Sequence, residues 1–264
     1  MKDSAYLKAE KKIQEALKSG AAELDLSQKF NAKDSEKLTE LPESIGKLKQ
    51  LTSLKLSNTK LTSLPDSLGQ LTQLTQLDLS NTKLTTLPDS LGQLTQLTQL
   101  NLSQNPLTSL PECLARLKQL QILSLKNDHL ITLPEFFREL EQLYQLDISS
   151  NQFVELPKLL LSLKKLKQLV LSNNRLSSIP EWLCDLTDLE ELYLPQNRFV
   201  MLPEFISQFK NLVIFSCWGN QLKELPASLS QLTKLRTLRL SQNQLSDILP
   251  SLAQLEHLTE LDLD

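Results

Sequence analysis

Along most of the chain, apolar residues recur at a spacing that is neither the alternation of a strand nor the three-to-four spacing of a helix. A leucine opens each unit at Leu51, Leu74, Leu97, Leu120, Leu143, Leu166, Leu189, Leu212, Leu235 and Leu258, always 23 residues after the last. In the unit LTQLNLSQNPLTSLPECLARLKQ, counting Leu97 as phase 1, apolar residues fall at phases 1, 4, 6, 11, 14, 18 and 21. The opening LxxLxL alternates and predicts a short strand. From Pro111 to Leu117 the apolar residues take helical or 3-10 spacing behind a proline. Proline recurs at Pro42, Pro65, Pro88, Pro111, Pro134, Pro157, Pro180, Pro203 and Pro226, where a returning segment begins and a missing N–H costs nothing. The last full unit departs from this, with Leu249 then Pro250. Each unit therefore reads as a strand, a turn and a loose helical return.

One such unit cannot bury its leucines alone, so successive coils must stack. The pattern resembles the leucine-rich repeat, over residues 21 to 264 and in ten agreeing registers. That resemblance implies an α/β fold, a leucine-rich-repeat solenoid or horseshoe. Parallel strands would line its concave face, and short helical or 3-10 segments its convex side. Phase 9 carries Asn105, Asn151, Asn174, Asn197, Asn220 and Asn243, with Thr59, Thr82 and Asp128 as substitutes. These polar side chains are expected to bond the turn after the strand, which has no ladder partner.

The ends differ from the repeats. Residues 4–19, SAYLKAEKKIQEALKS, place Ala9, Ile13, Ala16 and Leu17 on one helical face, with Ser4 as N-cap and Gly20 closing the helix. Residues 1–20 are thus expected to form a capping helix over the first coil. Residues 21–50 form an atypical first repeat with a polar insertion at 28–37, in which Phe30 is expected to tuck onto the cap. Nine repeats follow over 51–257, and a partial tenth at 258–264 stops in a strand, which suggests a piece of a longer chain. The helix followed by GAAELDLS resembles the start of the repeat region of bacterial Roco GTPases, and the LPxxL-type unit resembles intracellular Ras-binding scaffolds. The chain has no GxxxxGK[ST] loop, so the GTPase module of such a protein would lie beyond Asp264.

Composition narrows the function. The first ten residues carry charges and no apolar run, no 18-residue apolar stretch follows, and a net charge of −3 gives no basic track. Neither a membrane nor a nucleic acid is an expected partner. Cys113, Cys184 and Cys217 are odd in number and widely spaced, which points to a reducing, cytoplasmic location and not to disulfides or zinc. His129 and His257 lie five repeats apart, so no triad or histidine metal site forms, and no cofactor is implied. The strand carboxylates Asp25, Asp78, Asp147, Glu190, Glu191, Glu260 and Asp262 read as solvated charge with a modest part in partner selection. The chain is not expected to be an enzyme.

The informative departures lie at the strand phases expected to face the concavity. The first three units carry Ser53, Lys55, Ser57, Gln76, Asp78, Ser80, Gln99, Asn101 and Ser103 there, a small and polar set. Later units carry Val170, Tyr193, Pro195, Ile214 and Trp218, followed by Arg236 and Arg239. Tyrosine, tryptophan and arginine are enriched in binding hot spots, so these seven residues are the expected partner site. At phase 17, Phe136, Leu159, Trp182 and Phe205 replace serine and form a possible convex contact. The function expected is a protein-interaction scaffold binding a protein partner on the concave face. The alternatives are a regulatory repeat segment of a multidomain enzyme such as a Roco-type GTPase, and a self-associating structural module.

Overall fold

The computed structural model describes residues 3–33, 36–246 and 250–263. The chain divides into two compact units, Met1–Gln142 and Leu143–Asp264. Among the described residues the first unit holds one α-helix, α1 (Ser4–Ser19), and five strands: β1 (Glu23–Asp25), β2 (Ser53–Lys55), β3 (Gln76–Asp78), β4 (Gln99–Asn101) and β5 (Ile122–Ser124). The second holds β6 (Gln145–Asp147), β7 (Gln168–Val170), β8 (Glu191–Tyr193), β9 (Ile214–Ser216), β10 (Thr237–Arg239) and β11 (Glu260–Asp262). Strands within each unit are parallel and in chain order. Within each unit, from β2 onward, each pairs with the residue 23 further on, as Leu77 does with Leu100, whereas the insertion puts 30 residues between Glu23 and its partner Ser53. Short 3-10 helices such as Asp66–Gln70 and Glu181–Asp185 follow the prolines and make the return.

The seven apolar phases are the core. In the unit opened by Leu97 all seven leucines are at most 6% exposed. Each such side chain contributes about 1.5–3 kcal/mol relative to exposure. Larger groups fill the same phases later on, with Phe137, Phe153, Phe199 and Phe215 fully buried.

The phase-9 side chains close the turn as chemistry demands. The Asn197 amide donates to the carbonyls of Leu194 at 3.0 Å and Pro195 at 3.1 Å, and to Leu171 one coil back at 3.0 Å. Its oxygen accepts from Leu176 N at 3.0 Å. Asn105 and Asn220 repeat the scheme, and the Thr59 hydroxyl keeps one of its bonds, to Leu56 O at 2.9 Å. One phase earlier the backbone is left-handed in every repeat from Asn58 to Gln242, with φ between 52° and 67°. Asn58, Asn81, Asn127, Asn173 and Gly219 suit that conformation, whereas Gln104, Ser150, Gln196 and Gln242 hold it at a cost of about 1–2 kcal/mol each. Phase 8 therefore belongs to the turn and does not extend the strand.

At the N-terminus three expectations are corrected. Asp3, not Ser4, is the N-cap of α1, its carboxylate accepting from Tyr6 N at 2.7 Å. The buried face of α1 is Ala5, Ala9, Ile13 and Ala16, while Leu17 is 37% exposed. The helix packs on the return Glu43–Lys47, with Ser44 donating to Glu10 at 2.6 Å and Lys12 to Asp25 O at 2.9 Å. Phe30 does not tuck onto the helix and is 78% exposed. The Gln28 side chain closes the base of the insertion by bonding Glu36 O and Leu38 N, and Phe30 is left outside that closure. Asp34 and Ser35, and Leu249 of the departure from the proline pattern, lie outside the described residues.

Candidate functional site

On the second unit the strand face is organised by register. One row across it runs Asp147, Val170, Tyr193, Ser216, Arg239 and Asp262, and the row beside it Gln145, Gln168, Glu191, Ile214, Thr237 and Glu260. Val170, Tyr193, Ile214 and Trp218 are half-buried, with part of each side chain open to solvent. Val170 and Tyr193 are direct cross-strand partners, and Ile214 sits opposite Glu191. Val170, Tyr193 and Ile214 therefore share one stretch of surface, in strands spaced about 4.8 Å apart, and Trp218 follows two residues after Ser216, the cross-strand partner of Tyr193.

Hydrogen bonds fix the polar side chains around them. Tyr193 donates its phenol to Glu191 Oε2 at 2.9 Å, and Gln168 donates to the same oxygen at 2.5 Å. Burial first, and the Glu191 carboxylate second, push the Tyr193 phenol up from 10.0 to about 12, with Arg239 pulling the other way. Arg239 is committed, donating to both oxygens of Glu260 at 2.7 and 3.2 Å, which holds that carboxyl below its ordinary range. Of the two expected arginines Arg236 is thus the exposed one, while Arg239 is half-buried.

Pro195 has a different role from the one expected. It is buried, and its position explains it. Where phase 5 is Asp or Asn, that side chain accepts the N–H of phase 7: Asp78 from Ser80 N, Asn101 from Ser103 N, Asp147 from Ser149 N. Tyr193 occupies phase 5 of its unit and has no such acceptor, and proline at phase 7 removes the donor. Pro195 thus completes the turn that Tyr193 leaves uncapped. The same bonds give Asp25, Asp78 and Asp147 a turn-capping part that the solvated-charge reading missed.

The phase-17 stripe is mostly packing. In the first unit Phe136 is 4% exposed and stacks obliquely on Phe137 at 5.2 Å. In the second, Leu159 is buried and Trp182 and Phe205 are half-buried. Only the last two retain open surface. All three cysteines are free and buried; burial drives Cys184 up from 9.0 to about 11 and raises Cys113 and Cys217 as well. Such thiols are not nucleophiles at neutral pH.

Two features escaped the sequence reading. The strand face of the first unit holds a shallow hollow of about 280 Å³ over β2 to β5, lined by Leu54, Leu77, Leu100 and Ile122 together with Lys55, Gln76, Asp78 and Gln99. Val154, Val200 and Met201 of the second unit are 62%, 46% and 62% exposed on the turn after the strand, where early repeats carry threonine. Ser177 interrupts that phase between the two valines, so they form no continuous patch. Among the described residues no three His, Cys, Asp or Glu side chains converge as a metal site would require, and no helix is long and apolar enough to cross a membrane.

The comparisons agree with this architecture. Family profiles described as "Leucine-rich repeat region", "Leucine rich repeat" and "Leucine Rich repeats (2 copies)" match residues 31–111, 141–199 and 210–251. None of the curated proteins matches the chain. Among solved structures, a leucine-rich-repeat protein of Leptospira interrogans is 34% identical over 92% of this chain and 72% of its own, with a TM-score of 0.79. A TDR receptor is 27% identical over 95% of this chain and 44% of its own, TM-score 0.77. The functional domain of InlJ from Listeria monocytogenes, which includes a cysteine ladder, is 26% identical over 95% of this chain and 55% of its own, TM-score 0.73. The chain spans only about half the length of these last two. No catalytic family is among these matches, and with a 23-residue register, parallel strands and asparagine-closed turns, the chain belongs to the leucine-rich-repeat family.

Proposed function

We propose that the chain is a non-catalytic protein-interaction scaffold whose partner docks on the strand face of the second unit, the face expected to be concave. The observation that carries this reading is the half-buried group Val170, Tyr193, Ile214 and Trp218 on adjacent coils, at phases where the first three repeats place polar or charged residues. A half-buried aromatic already fixed by its neighbours loses little freedom on binding and still has surface to bury. Arg236 supplies an exposed cation at the edge. Trp182 and Phe205 form a secondary surface on the returning segments. Three free, buried thiols fit a reducing, cytoplasmic setting.

The test is selection of short random peptides on the intact chain. Selected peptides should lose about 30-fold or more in affinity on Trp218→Ala or Tyr193→Ala, with the fold retained by circular dichroism. Peptides indifferent to both substitutions would refute the assignment.

A second reading makes the chain a regulatory segment of a Roco-type GTPase. It is favoured by the helix α1 running through Gly20 directly into the strand of ELDLS. Sequencing the native gene past Asp264 tests it, with a nucleotide-binding module expected and a stop codon fatal to the idea.

A further inference from the structure

We infer that the partner presents an arginine or lysine side chain to a seat formed by Val170, Asp147, Glu191 and Tyr193; the inference rests on the docking face proposed above. Val170 is half-buried on β7, and its cross-strand partners are Asp147 on β6 and Tyr193 on β8. Glu191 lies opposite Gln168, the residue two before Val170. Asp147 thus stands one strand from Val170, about 4.8 Å away, and Glu191 stands one strand to the other side on the diagonal, about 7–8 Å away.

Other carboxylates on this face are already answered. Glu190 is paired with Lys167 at 2.8 Å, Glu260 with Arg239, and Asp262 is the cross-strand partner of that same Arg239, whose charge it feels. Asp147 and Glu191 meet only neutral donors among the described residues. Asp147 uses Oδ1 for Ser149 N, and Glu191 uses Oε2 for Tyr193 and Gln168. In each case the second oxygen is left for another donor, while the bonded oxygen holds the carboxylate in place. Both residues are half-buried, so their charge is less screened than that of an open surface acid.

The seat therefore suits a cation on an apolar stem. The methylenes would lie on Val170, the charge between the two carboxylates, and the Tyr193 ring beside them as a cation–π wall. An anionic or purely aliphatic side chain would leave both carboxylates unanswered on closing the interface.

The experiment uses the peptides selected on the intact chain. Those that depend on Trp218 should carry Arg or Lys, and should weaken about tenfold or more on the double variant Asp147→Asn, Glu191→Gln, and equally when the peptide arginine is exchanged for neutral citrulline. Both substitutions keep an oxygen acceptor for Ser149 N and for Tyr193, so the fold is retained, with thermal unfolding as the control. Trp218-dependent peptides that lack a cation, or ignore the double variant, overturn the seat and leave the docking face standing. Peptides that ignore Trp218 remove the docking face and the seat with it.

Discussion

At the residue scale the repeat is held by side chains that complete the backbone. Asn197 satisfies three carbonyls and one N–H in a place where water does not reach. Asn197→Ala should lower the free energy of unfolding by at least about 2 kcal/mol, because buried acceptors are left unmade. Urea unfolding checks this, and a loss below experimental error would contradict the turn-closing role. The asparagine phase was legible in the sequence, since a recurring amide after a strand has an obvious task. The pairing of Tyr193 with Pro195 was not. It depends on which side chain accepts the phase-7 N–H, and that is visible only once Asp78, Asn101 and Asp147 are seen to do so. The left-handed phase is legible in the sequence through Asn58, Asn81, Asn127, Asn173 and Gly219.

At the scale of elements, the returning segments approach one another more closely than the pattern suggests. A Cβ added at Gly69 would sit 2.4 Å from the backbone oxygen of Ser90, and one at Gly46 2.7 Å from that of Ser67. Glycine on one coil and serine on the next let two backbones touch in the first unit. Gly69→Ala should cost about 1–3 kcal/mol by forcing those segments apart, measured as a fall in melting temperature, whereas Ala at an open surface position would be neutral. Where phase 17 turns to Phe136, Leu159, Trp182 and Phe205, the same space is filled by side chains instead. Sequence showed the change from small to large, but not which of the large residues kept open surface. Burial of Phe136 and Leu159 decides that, and leaves Trp182 and Phe205.

At the scale of the whole molecule, the 23-residue register made the fold readable from end to end, because each leucine has the same neighbours in every coil. The site was less readable, since exposure within a repeat depends on the neighbouring coils, as Pro195 and Phe30 show. One property of the whole chain follows from its buried acids. Cys184 is held up at about 11 from 9.0, Tyr193 at about 12 from 10.0, and Cys113 and Cys217 are raised also. Each group is neutral when protonated and binds its proton more tightly in the folded state. Their contribution is therefore complete below about pH 9 and is lost as the pH climbs through 11. The melting temperature should hold from neutrality to about pH 9 and then fall, and Cys184→Ala should make the decline shallower. An unchanged slope would contradict the burial of that thiol.

The central claim is that a partner covers the strand face of the second unit. The chain has two tryptophans, so Trp182→Phe leaves Trp218 as its only indole. The most direct measurement is the emission of that variant during titration with a selected peptide. The account predicts a blue shift and protection from acrylamide that saturate together with binding, because Trp218 passes from half-buried to covered. Full binding with no change in Trp218 emission or quenching would place the partner elsewhere and contradict the account.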